Sequence, residues 1–196
     1  MLVIMDLTSI TPEPHQLRAL THPVRLRMLG MLRVDGPATA TMLATRLGLN
    51  TGATSYHLRQ LAQHGFILDD TDRGTGRERW WKAAHASTRT EPPPADDEDA
   101  AHGMDAYLQA VVTVYTERLQ RAMEERPLLP APWRDASTYS DWHHRLTPSR
   151  ARAVVAALEA VMEQVEEDND EEGDAATFVV QINAYPRPGV VTQDPC

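Results

Sequence analysis

Apolar residues recur every three or four positions between Pro14 and Arg33, at Leu17, Leu20, Val24, Met28, Leu29 and Leu32. That spacing predicts an amphipathic helix, which Pro23 should interrupt or restart. Gly36-Pro37 closes the unit. A short helix then runs to Leu47, capped by Thr39 or Thr41, with Met42, Leu43 and Leu47 inward. Gly48-Leu49-Asn50 reads as a turn in which Gly48 is free to take a positive φ. A third helix spans about Thr51 to His64, with Thr54, Leu58, Leu61 and Ala62 on one face, and Gly65 stops it. Two strands follow, Phe66 to Asp69 and Glu78 to Ala83. Arg73-Gly74-Thr75-Gly76-Arg77 forms the hairpin tip between them.

The pattern changes at Glu91. EPPPADDEDAA, residues 91–101, combines prolines that oppose a regular helix with acids that repel one another, and predicts a linker. Beyond it, Tyr107, Val111, Val114, Tyr115, Leu119 and Met123 mark a helix from Met104 to Glu125, broken by Pro127 and LLPAPW. Thr147 can cap another helix with Pro148 in its first turn, and Val154, Val155, Leu158, Val161, Met162 and Val165 line one face. An acidic run, Glu166 to Asp174, frays from its end. Phe178 to Ala184, FVVQINA, reads as a single late strand that must add to a sheet in this chain or a partner. The expected class is α+β: a winged helix-turn-helix domain over residues 1–90, the linker, and a helical C-terminal part over 102–196 for dimerisation and a possible effector.

The sharpest chemistry lies between Leu43 and Ile67. Two helices that cross closely need a small residue at the crossing, here Ala44, a glycine in the turn, Gly48, and an apolar residue after it, Leu49. Anchors in the second helix would hold it proud of the surface, where it can enter a major groove. Its exposed start and face carry Asn50, Thr51, Gly52, Ser55, Tyr56 and Arg59, whose amides, hydroxyls and guanidinium suit base edges or phosphates. On the hairpin, Arg73, Arg77, Arg79 and Lys82 suit phosphates rather than bases. His57, beside Leu58 and Leu61, reads as a packing or backbone-bonded histidine. Trp80 and Trp81 point to opposite faces of their strand, so one belongs to the core and the other can cover the join with the second part.

ALTHPVRLRMLGML at Ala19–Leu32, LATRLGLN at Leu43–Asn50, ATSYHLRQLAQHGFI at Ala53–Ile67 and RGTGRERWW at Arg73–Trp81 together resemble the ArsR-type winged helix-turn-helix transcriptional regulators. The version with His57 is similar to the branch that does not sense metal. The likeness covers roughly residues 15 to 85, less than half of the chain. It implies a homodimer that binds a palindromic operator in double-stranded DNA near promoters, most simply as a repressor that occludes the promoter.

Charge sharpens this picture. From His15 to Thr90 there are eleven basic and five acidic residues, a net of +6; with −9 on the whole chain, the remainder carries −15. A basic half beside an acidic one suits a polyanionic partner for the first. The one cysteine, Cys196, excludes an internal disulfide and a four-cysteine zinc site, and fits a reducing cytoplasm. No run of eighteen apolar residues predicts a membrane span, and the N-terminus lacks the basic region of a secretory signal.

Metal sensing is not expected. ATATMLA lacks the cysteine pair of the arsenic and cadmium sensors, His102 and Asp105 have no matching partners, and the adjacent His143 and His144 diverge on a helix. No phosphate loop, nucleophile elbow or HExxH motif points to an enzyme, and no cofactor is implied. Trp133, Tyr139 and Trp142 either plug a helix-packing gap or wall a pocket for a small-molecule effector. Two other classes fit the same sequence: a winged helix that contacts protein, and a small-molecule sensor with weak DNA binding.

Overall fold

The computed structural model describes residues 9–73, 78–168, 173 and 175–191. By packing the chain forms two compact units, residues 1–128 and 129–196. The first opens with β1 (Ser9–Ile10), α1 (Pro14–Leu20) and α2 (Pro23–Val34). The long apolar period is thus split at Thr21-His22. Pro23 takes the first helical position of α2, where its missing N–H costs nothing. The His22 ring caps it, Nδ1 accepting from the Val24 N–H at 3.2 Å.

β2 (Ala38–Thr39) leads into α3 (Ala40–Leu47). Thr39, not Thr41, caps α3, its Oγ1 accepting from the Met42 N–H at 3.3 Å. Leu43 and Ala44 are buried, whereas Met42 turns outward rather than into the core. Gly48 ends α3 with φ +65°, and the Leu49 N–H returns to the Ala44 carbonyl at 2.9 Å. That left-handed residue makes the turn tight enough to start α4 (Thr51–Gln63) three residues later. Gly65, at φ +78°, ends α4 in the same way, with the Phe66 N–H on the Leu61 carbonyl at 3.0 Å.

β3 (Ile67–Asp69) and β4 (Trp80–Ala83) are antiparallel, with Leu68 opposite Lys82 and Asp69 opposite Trp81. β4 also pairs with β2, giving a three-stranded order β2-β4-β3. β5 (Ser87–Thr88) runs parallel to β1. Neither β1, β2 nor β5 was legible as a strand, because each is two residues long and leaves no alternation to read.

α5 (Glu98–Glu125) is longer than its apolar period predicts and starts inside the expected linker. Asp97 caps it, accepting from the Ala100 N–H at 2.8 Å, and Glu98 and Asp99 lie in its first turn, where acids complement the helix dipole. The inner face, with Ala100, Tyr107, Ala110 and Val114 buried, packs on α1 and α2. Tyr107 shares one core with Leu17, Leu20, Met28, Leu29, Leu32, Leu43, Leu58, Leu61, Phe66, Ile67 and Trp81. Arg27 pairs with Glu117 at 2.8 Å, tying α2 to α5. The packing boundary therefore falls at 128/129, not in residues 91–101, since α5 is needed to close the core of the first unit. Its outer face leaves Leu108, Val112, Leu119 and Met123 exposed. A single 3₁₀ turn, Arg126–Leu128, ends it.

The second unit holds α6 (Ala131–Ala136) and α7 (Pro148–Glu163). Thr147 caps α7, Oγ1 accepting from the Arg150 N–H at 3.3 Å. Val154, Leu158, Val161, Met162 and Val165 are exposed. Within this chain residues 178–184 are not in a strand: among the described residues no neighbouring strand pairs with them, and Phe178, Val179, Val180 and Ile182 stand exposed.

Candidate nucleic-acid interface

The recognition surface is built outward from three buried side chains of α4. Thr54, Leu58 and Leu61 are fully buried, and Thr54 Oγ1 donates to the Asn50 carbonyl at 3.1 Å. With that face fixed in the core, Thr51, Gly52, Tyr56 and Arg59 face solvent and Ser55 is half-buried. Asn50 caps the helix, Oδ1 accepting from the Ala53 N–H at 2.8 Å, which leaves its amide donors for a ligand.

One flank of α4 meets the wing. Ser55 and Arg59 line a cleft of about 240 Å³ with Thr39, Thr41, Glu78, Arg79 and Trp81. The other flank meets the start of α2. The His57 ring lies 4.6 Å from that of His22 and 5.5 Å from that of Tyr56, so His57 is a packing residue, and its Nδ1 has no hydrogen-bond partner among the described residues. Burial first, then the charges of Arg25 and Arg27, lowers the pKa of His22. Burial, then His22 and Arg25, lowers that of His57.

The wing cations are less free than their sequence implies. Arg79 Nε donates to Asp69 Oδ2 at 2.6 Å, with its guanidinium carbon 4.1 Å from the Trp81 ring centre. Asp70, buried at the wing base, takes Lys82 Nζ at 2.9 Å and Arg73 Nε at 3.4 Å. Arg77 lies outside the described residues. Trp81 is the core tryptophan. Trp80 is half-buried, its ring centre 6.0 Å from the Arg73 guanidinium carbon. The acids that pair with the wing cations, Asp69 and Asp70, lie just before the hairpin tip; their signal was the register that puts Asp69 across from Trp81.

Residues 20–69 match the model of a family described as a helix-turn-helix domain. The match begins at the end of α1 and ends with β3, so it covers the helix-turn-helix domain and leaves the wing's second strand and α5 outside. No curated protein matches the chain. Among solved structures, the chain is similar to a double mutant of ZitR from Lactococcus lactis in apo form, at 12% identity and a TM-score of 0.31, over 74% of this chain and 83% of that one.

The expected aromatic pocket residues lie in the second unit. Trp133, on α6, is half-buried and stacks on Phe178, ring centres 6.4 Å apart. Tyr139 and Trp142 are 50% and 76% exposed, in a segment without regular structure. Among the described residues no group of three or more His, Cys, Asp or Glu is placed to hold a metal ion, and no helix is long and apolar enough to cross a membrane.

Proposed function

We propose that this chain is a sequence-specific, dimeric transcriptional regulator of ArsR type, from the branch that does not sense metal, acting as a cytoplasmic repressor on a palindromic operator. The observation that carries the reading is the placement of Ser55, Tyr56 and Arg59 on the outer side of a helix whose inner side, Thr54, Leu58 and Leu61, is locked in the core. Arg59 reads a guanine or a phosphate, Ser55 and Tyr56 add hydroxyl contacts, and Asn50, Thr51 and Gly52 bring the helix start to the backbone. Arg73, Arg77, Arg79 and Lys82 supply the wing's charge. A second copy covers the outer stripe of α5, and two-fold symmetry then sets two reading helices about one turn of DNA apart. A hydrophobic effector seated among Trp133, Tyr139 and Trp142 would act by favouring one spacing of the two heads. Chemistry is left to none of these groups.

The test is a pull-down of genomic DNA bound to the protein in native cells, followed by anisotropy titration of the enriched fragment against random competitor. Preference for the fragment supports the reading; equal binding of both defeats it.

A second reading, in which the winged helix contacts protein, is favoured by the pairing of Arg79, Arg73 and Lys82 with Asp69 and Asp70. Duplex affinity that is weak and indifferent to salt would select it.

A further inference from the structure

Two opposite charges face the cleft between α4 and the wing without meeting. Arg59 comes to it from α4, one turn after Ser55, and Glu78 from the chain just before β4. Both are exposed, and neither forms a hydrogen bond or ion pair among the described residues. Their charged atoms therefore stand more than 4.0 Å apart. The neighbouring groups are committed elsewhere. Arg79 is held by Asp69 and laid over the buried Trp81, and Thr39 caps α3.

From this we infer that Arg59 and Glu78 read the two halves of one G·C base pair in the major groove, Arg59 donating to the guanine and Glu78 accepting from the cytosine amino group. The inference rests on the DNA-binding reading above and deepens it. It chooses a base over a phosphate for Arg59 and adds an acid of the wing to the residues that set specificity.

Three physical arguments lead there. A carboxylate accepts and never donates, so on a surface that meets DNA it is repelled by every phosphate and is useful only before a donor. In the major groove the bases offer such donors at two places, the amino groups of cytosine and adenine. A guanidinium donates and never accepts, and the O6 and N7 edge of guanine is the base pattern it fits best. The partner of that guanine is cytosine, whose amino group lies beside O6. One base pair thus presents acceptors to Arg59 and a donor to Glu78, side by side. The third argument is the company that Arg59 keeps. A phosphate drawn to it would have to enter a cleft that also holds the Glu78 carboxylate, whereas the edge of a G·C pair meets both charges favourably.

The experiment selects duplexes from a random-sequence library with the full chain and with its Glu78→Ala, Glu78→Gln, Arg59→Ala and Asp72→Ala variants. The selected duplex and its single-base-pair changes are then titrated by anisotropy, and melting curves check each fold. Asp72 is an exposed wing acid outside the cleft, so its removal reports the loss of negative charge alone. The wild-type motif should contain one G·C pair at which Glu78→Ala and Arg59→Ala both relax the preference, from roughly tenfold or more to about one. Glu78→Gln keeps an acceptor oxygen without the charge and should fall between. Asp72→Ala should shift the affinity for all duplexes alike. A Glu78→Ala chain that behaves as Asp72→Ala does, or that matches the wild type, overturns the pairing while leaving the DNA-binding reading standing. Relaxation at a base pair that Arg59→Ala does not affect overturns it equally. A wild-type chain that selects no motif removes both.

Discussion

Arg79 and Asp69 are joined across the base of the wing by a 2.6 Å hydrogen bond between opposite charges, with the arginine laid over Trp81. Both partners are partly exposed, so the pair adds less than about 1 kcal/mol to stability. Its larger effect is on availability: a guanidinium satisfied by a carboxylate is a poor phosphate ligand. Replacing Asp69 with Asn should leave the melting temperature nearly unchanged and tighten duplex binding several-fold at low salt. The salt slope should steepen by up to about 0.9. An unchanged slope would mean that Arg79 already contacts the duplex or never does.

Arg59 has the opposite character. It is exposed beside Ser55 in the cleft toward the wing. Arg59→Ala should weaken binding to the genomic target by about 1–3 kcal/mol, as for a lost base contact. Unaltered affinity in an anisotropy titration would refute that role.

Acid should loosen the first unit. His22, His57 and His64 all have pKa values below the usual 6.5, chiefly from burial and then from neighbouring cations. A histidine depressed in the fold binds its proton more readily when unfolded. Its stabilising contribution is present above about pH 6.5 and is lost as the pH falls through the folded value. His22 adds a second loss, because a protonated Nδ1 cannot accept from Val24 and α2 loses its cap. The melting temperature should be flat above pH 7 and fall below pH 6.5. His22→Asn, which can still cap, should flatten that fall; an equally steep curve would exonerate His22.

The turn before the recognition helix can be tested apart from the core. Gly48 lies at φ +65° with open space where a Cβ would stand, so Gly48→Ala costs only the left-handed conformation, about 1–2 kcal/mol. Leu58 is fully buried, and Leu58→Ala should cost about 2–5 kcal/mol. Denaturant melts should rank the two in that order.

Association can be read on α5. Val112 and Leu119 are exposed on its outer face. Val112→Glu with Leu119→Glu should turn the proposed dimer into a monomer by analytical ultracentrifugation while the melting of the first unit changes little. A dimer that survives would place the interface elsewhere.

What could be read from the chain was whatever rests on local spacing. The α3–turn–α4 unit followed from Ala44, Gly48 and the Thr54/Leu58/Leu61 face, and Thr147-Pro148 announced α7. The split at His22-Pro23 was legible from the proline alone. Three features depended on distant partners and were not. The acids at 97–99 read as a solvated spacer, yet they cap α5, because a helix start and a charged linker share one composition. Phe178 to Ala184 has the residues of a strand, but among the described residues of this chain no strand lies beside it. The wing's arginines counted as free charge in the sequence, whereas the β3–β4 register sets Asp69 and Asp70 against them. For the interface, exposure of Thr51, Gly52, Tyr56 and Arg59 followed from helical period.

Tyr107 belongs to a helix whose far side is bare and whose near side is shared with Leu58 of the reading helix. That rod packs on α1 and α2, and these two helices in turn meet the element that would touch bases. Whatever settles on the outside of the rod therefore touches the first unit's core only through the helix that closes it, and two further helices stand between it and the reading surface.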